Sequence, residues 1–158
     1  MTTLKAILLL LFLPGTLLVL LPWTLIRAQA PLFSFGAFHW LAVPCWILGA
    51  ASSLWCAWAF SVRGHGTPSP TDPPRVLMVS GLYRWIRNPI YAGVVVFLLG
   101  YVLWHPAPAI LLMPPIVALS AHLFVLVYEE PRLRKTFGAA YREYCRAVPR
   151  WLPTHRPR

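Results

Sequence analysis

The sequence predicts an all-α, polytopic membrane protein with about four transmembrane helices and an amphipathic C-terminal helix in the cytoplasmic interface. Three observations carry this. The 158-residue chain is 58% hydrophobic and only 11% charged, with a mean hydropathy of +0.63. Soluble chains carry roughly 25% charged residues, so lipid is the solvent that suits this composition. The apolar residues gather in four long runs, and 13 of the 14 Lys and Arg fall on one side once those runs are threaded across a bilayer.

Leu4 to Ile26 is the first run, long enough for a hydrocarbon core of roughly 30 Å. "RAQA" at 27–30 resembles a signal-peptide cleavage site, but the 23 apolar residues before it exceed the usual signal core of about 7 to 15, which favours a retained helix. Phe38 to Phe60 is the second run, with His39, Ser52 and Ser53 as its clearly polar residues. The third covers 89–104 and is short. The fourth covers 107–128, where Pro114 and Pro115 should kink the helix. All of 1–158 reads as one membrane domain. Only Arg27 lies opposite the other basic residues, so both termini and the middle loop are expected in the cytoplasm, with a bacterial inner membrane as the expected location.

The net charge of +10 does not point to nucleic acid. No nucleic-acid motif is present, and the basic residues stand beside apolar runs, where anionic lipid head groups are the natural partners. No His or Cys pair has metal-ligand spacing, so no metal is expected. Cys45 and Cys56 lie roughly 16 Å apart along one helix, too far for a disulfide.

The distinctive chemistry lies in two cytoplasmic segments. The middle loop is rich in Gly and Pro up to Pro74 and closes with "GLYRWIRNPIYAG". Its arginines and aromatics would serve as head-group anchors, and Asn88-Pro89 would start the third helix with Pro at N1. The tail reads "YEEPRLRKTFGAAYREYCRAVPRWLP". Leu133, Phe137, Tyr141, Tyr144, Cys145 and Val148 recur at three- and four-residue spacing, which predicts an amphipathic helix over about 131–147 in the cytoplasmic interface. Glu129 and Glu130 are two of only four acids in the chain. Acids before Pro131 suit a helix N-terminus, yet carboxylates beside a membrane core are costly and mark sites. Cap and site are balanced at this point. His122, seven residues before Glu129, is equally a functional candidate or a helix-packing group.

Together the two segments resemble the integral-membrane methyltransferases that include isoprenylcysteine carboxyl methyltransferase and phospholipid N-methyltransferases, in their bacterial branch. The resemblance covers residues 63–153: Gly-x-Tyr and Arg-Asn-Pro-x-Tyr in the loop, then the Glu pair, Phe-Gly-x-x-Tyr-x-x-Tyr and Val-Pro-Arg with Leu-Pro in the tail. It implies S-adenosylmethionine as cofactor, in a pocket among membrane helices. Arg75, Val76, Leu77, Met78, Tyr83, Asn88, Pro89, Ile90, Tyr91, Glu129 and Glu130 would line that pocket. Arg87, Glu130 and His122 are the candidates for a direct part in the chemistry, a Glu or His122 as base if the acceptor is an amine. The acceptor implied is lipidic or small and apolar, with O-methylation of a prenylcysteine-like carboxylate ahead of N-methylation of a phospholipid amine or S-methylation of a small thiol. Val125 stands where the prenylcysteine enzymes carry an arginine. A non-enzymatic lipid-binding protein is the rival from another class, and a small transporter a weaker third idea.

Overall fold

A computed structural model describes residues 16–63 and 76–153, and all regular structure among them is helical. A π-helical turn, Thr16–Leu20, leads into α1 (Leu21–Ala28), which starts with Pro22 in its first turn. A 3-10 helix, Gly36–Leu41, runs into α2 (Ala42–Arg63). After a 3-10 turn at Gly81–Arg84 come α3 (Pro89–Trp104) and α4 (Pro108–Phe124). A π-helical turn, Val125–Glu129, joins α4 to α5 (Glu130–Ala147). Proline opens α3, where its missing N–H costs nothing, as Asn88-Pro89 led one to expect.

Among the described residues two helices are long and apolar enough to cross a bilayer, Gly36–Ala59 and Pro108–Ala147. The sequence led to four. Residues 4–15 of the first expected span lie outside the described residues, which leaves Thr16–Ala28 as a shorter apolar helix. Pro89–Trp104 is also shorter, at 16 residues. The apolar part of the long C-terminal helix ends at Tyr128, about 30 Å after Pro108, which matches a hydrocarbon core. The helix runs unbroken through Pro114 and Pro115.

The chain divides into two compact units. In the first (Met1–Ala50 with Val94–Ile116), the segment after α1 is tied to the α3–α4 turn. Leu32 N–H donates to the Pro106 carbonyl (3.0 Å), the Ala109 N–H donates to Gln29 Oε1 (3.1 Å), and His105 Nε2 lies 2.9 Å from the Gln29 carbonyl. Trp46 stacks edge-on to Tyr101, and Trp40 meets Trp104 at 5.9 Å. Gly100 permits this packing: a Cβ there would stand 2.5 Å from Trp46 Nε1.

The second unit (Ala51–Gly93 with Val117–Arg158) contains every described candidate site residue. Cys56 and Ala59 of α2 pack with Met78 and Tyr83, and Ile90 covers them. Ser53 Oγ donates to the Ile90 carbonyl (3.1 Å), which fixes the start of α3. Gly81 has φ +63, a conformation open to glycine, and so lets the loop turn toward Tyr83. The predicted apolar stripe of α5 exists, and it packs on the protein's own middle loop. Tyr141, Tyr144 and Val148 are buried with Leu133, Phe137 and Cys145 against Leu77 of the middle loop. A hydrogen bond fixes this packing: Tyr144 O–H donates to the Tyr83 carbonyl at 2.7 Å. Pro131 lies in the first turn of α5. Helix continues past it, and the non-helical residue is Gly138, at φ 55 and ψ −120.

Candidate active site

The loop before α3 and the helix that carries Glu129 and Glu130 meet through polar side chains. Glu129 is helical and makes no side-chain cap to α5, so the capping alternative fails on geometry. Its carboxylate instead receives a hydrogen bond from Tyr91 O–H, 3.2 Å from Oε2. Tyr91 lies in the first turn of α3, placed by the Pro89 start. Burial pushes the Glu129 carboxyl above the ordinary carboxylate range; the Tyr91 bond offsets part of this and the charge of Glu130 adds to it. No ion pair reaches Glu129 among the described residues.

Glu130 has the opposite surroundings. Arg87 Nη1 and Arg150 Nε each donate to Oε1 at 2.8 Å, Arg150 Nη2 donates to Oε2 at 3.1 Å, and Arg134 stands 3.6 Å from Oε2. Burial alone would raise this carboxyl, but the Arg150 hydrogen bond and the charges of Arg87, Arg150 and Arg134 outweigh it and hold the group below its usual value. Arg150 is in turn held further toward its charged form by the bond to Glu130.

The C-terminal residues 148–153 form a strap over this cluster. The Arg87 N–H donates to the Pro149 carbonyl (2.9 Å), and Asn88 Nδ2 donates to the Arg150 carbonyl (3.3 Å). Trp151 Nε1 donates to His122 Nδ1 at 3.0 Å. Asn88 thus spends its amide on the strap, which explains why it is buried.

Of the residues expected to line a pocket, Met78, Tyr83, Asn88 and Pro89 are buried, Leu77 and Ile90 are half-buried, and Val76 is exposed. Leu77 and Met78 point into two different apolar clusters. Arg75 lies outside the described residues. Arg87 and Glu130 are brought into direct contact. Arg134, Arg150 and Trp151 were not among the site candidates of the sequence, although Arg150 sits in the Val-Pro-Arg motif with Trp151 next to it, and Cys145 (3.1 Å from Arg87 Nη1) was placed only in the apolar stripe. Among the described residues no group of His, Cys, Asp or Glu is placed to hold a metal.

A family model described as phospholipid methyltransferase matches residues 37–140. Over 84 residues the chain is 30% identical to protein-S-isoprenylcysteine O-methyltransferase B of Arabidopsis thaliana, an alignment covering 49% of this chain and 39% of that protein. The chain thus spans well under half the length of this relative. No solved structure matches the chain.

Proposed function

The chain belongs to the phospholipid methyltransferase family, and from that premise we propose that it transfers a methyl group from S-adenosylmethionine to the carboxylate of a lipidic, prenylcysteine-like acceptor. Family membership implies the donor. The relative's name, an isoprenylcysteine O-methyltransferase, supports the acceptor class, and the family's own description supports a phospholipid amine as the second reading. The enzyme would be a membrane protein of four crossings, in a bacterial inner membrane, with both termini cytoplasmic. The crossings missing from the two long helices would be residues 4–26, and 89–104 extended by the residues before it.

The residues present fit the donor. The observation that carries this is Glu129: a half-buried carboxylate with one phenol partner and no cation among the described residues. A carboxylate so placed is costly unless a cation completes it. When bound, S-adenosylmethionine supplies an electrophilic methyl group on a sulfonium, along with a cationic amino group. Glu129 would hold that positive charge, and Tyr91 would orient Glu129. Val76, Leu77, Met78, Tyr83, Pro89 and Ile90, with Arg75, would form the walls, and Asn88 would act by holding the strap. Methyl transfer needs in-line positioning more than acid or base, so these residues work by placing the reactants and excluding water. A carboxylate acceptor has no proton to remove.

Titrating purified protein with S-adenosylhomocysteine, the demethylated product, tests this. Glu129→Gln should weaken binding by roughly 10- to 100-fold, the loss expected for one charge-assisted bond, and Tyr91→Phe by less, with helical content kept. Saturable binding unchanged in Glu129→Gln would refute the role of Glu129.

A further inference from the structure

Three guanidiniums share one carboxylate at Glu130. Among the described residues the other nearby acid, Glu129, is turned to Tyr91, so the described cluster holds more positive charge than it cancels. Partly buried surplus charge is costly until an anion pairs it. One donor is also unspent: Arg87 Nε is buried and has no hydrogen-bond partner among the described residues, and buried N–H groups are seldom left so. The cluster opens outward. The side chain of Arg87 is 13% exposed, that of Arg150 27% and that of Arg134 54%. Guanidinium forks in this setting suit a planar oxyanion.

A separate contact bears on the acceptor. His122 is the candidate base for an amine. Its Nδ1 accepts the Trp151 indole N–H, and an indole nitrogen can only donate. That lone pair is therefore occupied, and in the neutral ring the proton sits on Nε2. Held this way, His122 offers a donor and no base.

We propose that Arg87, together with Arg150 and Arg134, is the subsite for the acceptor's oxyanion, and that this chain thereby selects a carboxylate acceptor over an amine. The inference rests on the methyl-transfer reading above. One carboxylate oxygen takes the methyl group, forming an ester C–O bond as the donor's C–S bond breaks and its electron pair stays on sulfur; no proton moves. An ammonium acceptor would meet like charge and would have to lose a proton with His122 already engaged.

The test uses the full chain in nanodiscs and a matched pair of probes, N-acetyl-S-prenylcysteine and its carboxamide, followed by tryptophan fluorescence. The wild type should bind the carboxylate roughly 10- to 100-fold more tightly than the amide. Arg87→Lys keeps the charge but loses the Nε–H. It should erase most of that ratio while the S-adenosylhomocysteine Kd stays within about twofold. Equal binding of the two probes by the wild type overturns the proposal and needs no variant, so a misfolded Arg87→Lys protein does not block the decision. A ratio retained in Arg87→Lys also overturns it. S-adenosylhomocysteine and its decarboxylated analogue form the second arm. If Arg87→Lys erases discrimination there and not between the acceptor probes, the cluster holds the donor's carboxylate and the proposal fails. If S-adenosylhomocysteine does not bind at all, the methyl-transfer reading falls, while the probe pair still decides the oxyanion subsite.

Discussion

Two guanidinium nitrogens lie 2.8 Å from one oxygen of Glu130, whereas its neighbour Glu129 has, among the described residues, a single phenol at 3.2 Å. Their titrations should differ accordingly. The Glu129 carboxyl is raised above its ordinary 4.5, chiefly by burial. It therefore takes up a proton at a pH where ordinary carboxylates stay ionised, and a cation bound there must compete with that proton. Affinity for S-adenosylhomocysteine should fall on going from about pH 8 to about pH 5, with the fold intact. In Glu129→Gln the slope should vanish, and a slope that persists there would assign it to another group. Glu130 is lowered, so its contribution to stability is complete above the ordinary carboxyl value and is lost as pH falls below 4.5 through the depressed value. Glu130→Gln leaves three arginines facing a neutral amide. It should cost about 3 kcal/mol, the low end for a broken buried pair because Arg134 and Arg150 are partly solvated. Denaturation in detergent measures this, and an unchanged midpoint would contradict the structural weight given to the cluster.

Gly138 interrupts α5 with φ 55 and ψ −120, and no described residue lies within 4 Å of where its Cβ would be. Space is therefore not the constraint; backbone conformation is. Gly138→Ala should destabilise by roughly 1 to 3 kcal/mol, read as a lower Tm in detergent. A variant as stable as the wild type would mean that α5 can run straight there. The buried face of this helix was legible in the sequence, because Leu133, Phe137, Tyr141, Tyr144 and Val148 recur at the period that puts them on one side. What they bury against was not legible. Leu77 lies far back in the chain, and no local rule links it to α5. The same distinction explains the site. Pro89 announced the start of α3 and so the position of Tyr91, but Arg87 and Arg150 reach Glu130 across 43 and 20 residues. Spacing alone therefore left the two glutamates undivided between cap and site.

At the scale of the whole chain the open question is how many times it crosses the membrane. α3 is 16 residues, about 24 Å, against a hydrocarbon core of roughly 30 Å. Length alone would leave it out. One contact in the first unit bears on the proposed crossing: Trp104, at the end of α3, meets Trp40, just before the start of α2. If α2 leaves that level to cross, the chain has to return to it by Trp104, and α3 is the helix that makes the return. The deficit of a few ångströms is within what bilayer thinning, or residues before Pro89, can absorb. Ser34 and Thr136, both exposed, then lie on opposite sides, three crossings apart, whereas a chain crossing only by the two long helices would leave them on the same side. Ser34→Cys should react with an impermeant maleimide in intact cells, and Thr136→Cys only after permeabilisation, with the wild type as the blank for Cys45, Cys56 and Cys145. Labelling of both from the same side would remove α3 from the membrane. The proposed pocket would then lose one of its membrane helices, because Tyr91 would stand on a helix outside the lipid.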